Sequence, residues 1–195
     1  MSNGRKLVLS ALLLALVQVG FLGWMIAGRA TVLRDGREVL LKVEPVDPRD
    51  LLRGDYVILS YEISRIPLTI VSDIGEPGEG FDAAGKITVR LGKDEDGYWR
   101  ARSAWIRNAP AGAAGPDEVD IAGQIPPLNL AYIDREVRVT YGIERFYLPE
   151  GEGRAIERDM RVRPFGVRVA VPASGGAQVK ALMDGDQTLF QEPLY

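Results

Sequence analysis

The chain has 195 residues, with 24 Lys and Arg against 27 Asp and Glu, and neither histidine nor cysteine. Without those two residues, the usual zinc, copper, haem and iron–sulfur ligands are missing, and cysteine nucleophiles, Ser-His-Asp triads and disulfides are excluded. All 27 acids lie beyond residue 29, against 21 bases once Arg5, Lys6 and Arg29 are set aside, so that region carries about −6; this argues against nucleic acid or an anionic membrane surface as its ligand.

Residues 7–27, LVLSALLLALVQVGFLGWMIA, hold no charge and one amide, Gln18. A helix of this length rises roughly 30 Å, about the thickness of a bilayer's hydrocarbon core. Trp24 stands near its far end, where an indole favours the membrane interface. A cleaved signal peptide would have a shorter apolar run and a better cleavage site than Ala27-Gly28-Arg29-Ala30. A run apolar on all sides is also too long to hide in the core of a domain this size. The expectation is a transmembrane helix over residues 7–27, after a cytoplasmic tail of residues 1–6 and before a juxtamembrane linker of residues 28–37. Bases flank the run on both sides, Arg5 and Lys6 before it and Arg29, Arg34 and Arg37 after it. The short N-terminal tail favours the N-terminus inside and the domain outside.

The rest is expected to be mainly β with a minor helical part: a mostly antiparallel β domain made of two related halves. At an offset of 80, Val57, Tyr61, Ile63 and Arg65 fall on Val137, Tyr141, Ile143 and Arg145. The same offset lays Val39 on Val119, and residues 87–91 on residues 167–171. The first β unit spans residues 38–108, a flexible linker residues 109–116, and the second unit residues 117–195. In each unit a first strand (38–46 or 118–125) leads through a loop to a second strand (55–63 or 136–148). A hairpin follows, residues 86–92 with 98–106, or 166–171 with 178–183. Period-2 alternation marks these strands, and Asp94-Glu95-Asp96-Gly97 and Ser174-Gly175-Gly176 supply the turns. One short helix is expected, over residues 153–160.

The densest stretch of special residues is 47–61. Asp47 before Pro48 suits the start of a single helical turn. Gly54 suits its end at φ > 0. Asp55 then accepts backbone N–H bonds as the strand begins. Along that strand Tyr56, Ile58 and Ser60 face one way, and Val57, Leu59 and Tyr61 the other. Arg49, Asp50, Arg53 and Asp55 crowd four charges into seven residues, a cluster suited to a partner's charged tail or a polar ligand. The second unit has no glycine at this corner. It has Glu150 and Glu152 instead, at the approach to its helix, where negative charge suits the dipole and where they can reach Arg49 or Arg53.

The run Gly54-Asp55-Tyr56-Val57-Ile58-Leu59-Ser60-Tyr61 resembles the signature of the GDYXXLXY proteins, which are bacterial and membrane-anchored. The flanking residues 45–50 and 147–153 resemble that family too. The resemblance implies an envelope protein of the bacterial inner membrane that works with a polytopic membrane protein. It assigns no catalytic residue and no cofactor.

Two other functions compete. A membrane-anchored Ser/Lys hydrolase resembling a type I signal peptidase would need a Ser-Met-x-Pro segment, which is absent. A peptide- or glycan-binding module would use Tyr98, Trp99, Trp105 or Tyr132 as stacking faces. The reading adopted is an extracytoplasmic binding or accessory protein, not an enzyme, with Arg49, Asp50, Arg53, Gly54, Asp55, Tyr56, Tyr61, Glu150 and Glu152 as candidate contact residues.

Overall fold

The computed structural model describes residues 3–44, 56–73, 85–106, 108–126, 135–147 and 165–193, together with Ile156 and Arg163. The first element is a helix, α1 (Asn3–Asp35), long and apolar enough to cross a membrane. Its outer surface is exposed up to Arg29, and then Ala30 and Leu33 become buried. Residues 28–35 therefore continue the helix, and the expected juxtamembrane linker is corrected to its last two turns. Nothing in this stretch breaks a helix, and Ala30 and Leu33, three residues apart, share the face turned to the domain. Gly36 makes the exit. Its N–H donates to the Val32 carbonyl at 2.9 Å. A Cβ there would lie 2.5 Å from that same oxygen and 3.1 Å from the Ala170 Cβ, so only glycine fits.

Twelve strands follow among the described residues: β1 (Arg37–Glu44), β2 (Tyr56–Ile58), β3 (Ser60–Tyr61), β4 (Arg65–Pro67), β5 (Gly85–Lys93), β6 (Trp99–Trp105), β7 (Glu118–Ile125), β8 (Glu136–Arg138), β9 (Arg145–Tyr147), β10 (Phe165–Val171), β11 (Gln178–Asp184) and β12 (Gln187–Gln191). All named pairings are antiparallel. They form a five-stranded sheet β12-β11-β10-β1-β3, a three-stranded sheet β6-β5-β7, and two ribbons, β2-β9 and β4-β8. The foot of α1 rests on β10 and β11.

The two expected second strands are each broken. The described part of the first, from Tyr56 on, becomes β2, β3 and a 3-10 turn at Glu62–Ser64, because the chain changes partner at Leu59: β2 pairs with β9, a register that the Leu59 N–H extends by donating to the Glu144 carbonyl at 2.8 Å, and β3 pairs with β1. Residues 136–148 become β8 and β9 around Gly142, which stands at φ +79°. β12 was not anticipated; it is an edge strand that continues the second hairpin. Of the expected helix at 153–160 only Ile156 is described, and it is helical and buried. The linker 109–116 is tied down at two points. Arg90 holds Asp120 through two 2.8 Å bonds and donates to the Gly112 carbonyl at 2.8 Å, with the Trp105 ring 5.3 Å away. The Gly115 N–H donates to Glu118 at 3.0 Å.

The units 38–108 and 117–195 do not sit side by side as separate bodies; their strands interleave. β1 pairs with β10, β5 with β7, β2 with β9 and β4 with β8, so every one of these ladders joins the early part of the chain to the late part. The arrangement is reciprocal. The Tyr61 hydroxyl donates to the Ile143 carbonyl at 2.6 Å, and the Tyr141 hydroxyl to the Ile63 carbonyl at 2.7 Å. Glu44 opposes Ser60, and Gln124 opposes Thr140. These pairs keep the offset of 80. The hairpins keep an offset of 78: bulges fall at Arg90/Leu91 and Arg168/Val169, and the turn glycines Gly97 and Gly175 have φ +82° and +83°. One continuous core runs through both sheets, with Leu41, Leu59, Tyr61, Ile66, Leu91, Ile121, Phe165 and Leu182 fully buried.

Two predictions follow from the packing. Leu33→Ala removes the side chain that seats α1 on the domain, and large-to-small changes at buried sites cost about 2–5 kcal/mol; the domain should melt earlier while membrane attachment persists. Tyr61→Phe and Tyr141→Phe each leave a buried carbonyl without its donor, a loss of about 1–3 kcal/mol in denaturant titrations. Burial, reinforced by the nearby Glu144 carboxylate, raises both phenols above the ordinary value of 10.0. The unfolded chain then loses these protons first, so stability is full below pH 10 and falls as pH rises above it. Each Phe variant should show a shallower alkaline decline than the wild type.

Candidate functional site

The signature splits into two by burial. Val57, Leu59 and Tyr61 are buried, while Tyr56, Ile58 and Ser60 are half-buried on the other face, as the strand alternation predicts. Leu59 and Tyr61 are therefore core residues. Tyr61 in particular ties the two ends of the domain together through its hydroxyl, and its position here is structural. The Ser64 hydroxyl accepts the Tyr61 N–H at 3.2 Å and fixes the turn that follows.

Tyr56 differs. It opposes Tyr147 directly in the β2-β9 ribbon, and the two rings lie 5.8 Å apart, tilted by 58°. The Arg145 guanidinium stands 5.6 Å from the Tyr56 ring centre, within cation–π range. Tyr147 is 65% exposed. Among the described residues outside α1 it is the single exposed large hydrophobic side chain. A Tyr-Tyr-Arg surface therefore stands at the start of the signature strand. Tyr147 lay within the stretch that suggested the family, but Arg145 and the ring pair depend on strand pairing, which local patterns do not specify.

Arg49, Asp50, Arg53, Gly54 and Asp55 lie outside the described residues, as do Glu150 and Glu152. The described ends on either side, Tyr56 and Tyr147, are cross-strand neighbours. In sequence, Asp55 directly precedes Tyr56 and Glu150 follows Tyr147 by three residues.

A family model described as GDYXXLXY protein matches residues 18–182. The chain belongs to the GDYXXLXY family. In this GDYXXLXY protein, the match takes in the C-terminal half of α1 and most of the β domain, not only the eight-residue signature. No curated protein and no solved structure matches it.

The indoles that a peptide- or glycan-binding module would use as stacking faces are taken up by the domain itself. Trp99 and Trp105 are buried, with Arg37 lying 5.2 Å from the Trp99 ring. Tyr98 is partly buried, and Tyr132 lies outside the described residues. Arg100 collects Glu62, Asp94 and Asp96 around the β5-β6 turn. Its guanidinium holds both aspartates below the usual carboxylate range.

The two kinds of signature residue should separate in a stability assay. Leu59→Ala is expected to cost about 2–5 kcal/mol. Tyr147→Ala, at an exposed site, should stay within about 0.5 kcal/mol of wild type. Equal losses would make the Tyr56–Tyr147 pair a packing device.

Proposed function

We propose that this protein is an accessory subunit of the bacterial inner membrane, held by α1 with its N-terminus in the cytoplasm and its β domain on the extracytoplasmic side. In this reading it binds a polytopic membrane protein. The observation that carries it is the exposed Tyr147–Tyr56–Arg145 surface at the signature strand. Aromatic and arginine side chains are the residues most enriched at binding hot spots. In sequence, Arg49, Asp50, Arg53, Gly54 and Asp55 lie just before Tyr56, and Glu150 and Glu152 lie just after Tyr147, so these candidate contact residues belong to the same proposal. The buried foot of α1 supports the same reading: a domain seated on its anchor by Leu33 presents its faces to a neighbour in the bilayer at a set height and angle.

The two halves of the domain are proposed to descend from one duplicated unit. The reciprocal Tyr61 and Tyr141 bonds and the matching bulges support this.

The test is crosslinking and recovery from native membranes with a C-terminally tagged chain, run beside Tyr147→Ala and Arg53→Ala. A polytopic membrane protein recovered by wild type and lost with either variant is the expected result. Equal recovery by all three chains would remove the site, and recovery of no stoichiometric partner would remove the function.

A further inference from the structure

The two halves share one corner design, and one copy of it is filled while the other is open. In the filled corner the Tyr98 ring covers Gly166; its Cε1 would lie 3.3 Å from a Cβ built there. Arg100 binds Glu62, Asp94 and Asp96 in the same corner, and the Lys42 charge acts on Asp96. The counterparts of these residues follow from the register correspondence. Offset 80 puts Ala122 in place of Lys42 and Gly142 in place of Glu62. Offset 78 puts Ser174 in place of Asp96, Gly176 in place of Tyr98 and Gln178 in place of Arg100. Each of these five replacements is smaller and none is charged, while Thr88 stands where the other corner has Gly166.

A cavity of about 520 Å³ lies at this second corner, lined in part by Lys86, Thr88, Ala122, Gly142, Glu144 and Ser174. That volume suits a small molecule. Two charges remain on its walls. Glu144 accepts the Tyr141 N–H through Oε1 at 2.5 Å, which fixes the carboxylate and leaves Oε2 free of that bond. Lys86 is exposed and makes no ion pair with a described residue. Gln178, which replaces the Arg100 hub, has a buried Oε1 without a partner among the described residues.

We infer that this cavity binds a small aromatic zwitterion, with its carboxylate on Lys86, its ammonium on Glu144 and its ring in the space that Tyr98 fills in the other half. The ligand restores from outside what the first half supplies from its own chain: one aromatic ring between opposite charges. A free aromatic amino acid and a short peptide carrying one share this chemistry. The inference rests on the cavity and the correspondence between the halves, and is independent of the partner proposed above.

Saturation-transfer NMR on the full chain in nanodiscs tests it, with L-tyrosine and the dipeptide alanyl-tyrosine as separate probes. Transfer to the ring protons at a Kd on the order of 1 mM or tighter is expected for at least one probe. Binding of tyrosine alone assigns the free amino acid, and binding of the dipeptide alone assigns the peptide. Gly176→Tyr rebuilds the filled corner. A Cβ at Gly176 meets no atom within 4 Å, so the substitution is not crowded at its root. This variant should bind at least tenfold more weakly. Lys86→Met, at an exposed site, should also lose tenfold and serves if Gly176→Tyr fails to fold. Transfer to neither probe, or wild-type binding in the folded variants, overturns the inference.

Discussion

Two phenol groups hold this domain closed. Tyr61 and Tyr141 each donate a buried hydrogen bond to a carbonyl in the other half, and each lies at the start of the turn where its own half breaks strand. Their backbone N–H groups are bound in parallel fashion, one by the Ser64 hydroxyl and the other by Glu144. The broken strands on either side then have only one set of partners, β2 with β9 and β4 with β8. A hydrogen bond between a phenol and a carbonyl is modest in net worth, but losing one partner strands the other in an apolar core. The crossing of the chain at this point depends on both donors being present.

From this crossing the sheets spread outward. Each hairpin receives the first strand of the other half, so neither half has a sheet of its own to keep. The helix α1 joins at the five-stranded sheet, where Leu33 is sealed and Arg29 pairs with Glu192 at 3.5 Å. The exposed Arg29–Glu192 pair adds little energy, as surface pairs do. The apolar contact of Leu33 is what seats the helix. The Tyr56–Tyr147 surface is thus carried on a ribbon whose two strands come from opposite halves.

The elements with strong alternation were legible. The hairpins at residues 86–92 with 98–106 and 166–171 with 178–183 emerged close to their expected bounds, because period-2 burial and glycine turns are local properties. The inward set Val57, Leu59 and Tyr61 was legible for the same reason. The break at Leu59 was not, since it is a change of partner from β9 to β1 and neither partner adjoins it in sequence; the break at Gly142 rests on a local glycine turn that the strand pattern of its neighbours overrode. The helical course of residues 28–35 was hidden because its support is Leu33 against a sheet formed much later. The offset of 80 matches the Tyr61 and Tyr141 positions, but residues 87–91, laid on 167–171 by that offset, fall on 165–169 when bulges and turn glycines are aligned. Interleaving was illegible in principle: an antiparallel ladder within a half satisfies the same pattern as one between halves. Of the candidate site, Tyr56 was legible as an outward residue; its partners Tyr147 and Arg145 needed the pairing of β2 with β9.

The ladder between β1 and β10 has a consequence for how the protein is made. Arg37 pairs with Val171, a separation of 134 residues. A nascent chain therefore cannot complete its largest sheet until nearly all of it has been synthesised, although its anchor is finished within the first 35 residues. For most of its synthesis the chain is an unfolded strand-former, with β1 waiting for its partner. Long-range pairing is slow, and unpaired edges invite wrong partners. In the anchored reading proposed above, tethering by α1 makes the local concentration of such chains a property of the membrane rather than of the surrounding solution, so crowding of anchors should govern misassembly more than bulk expression does.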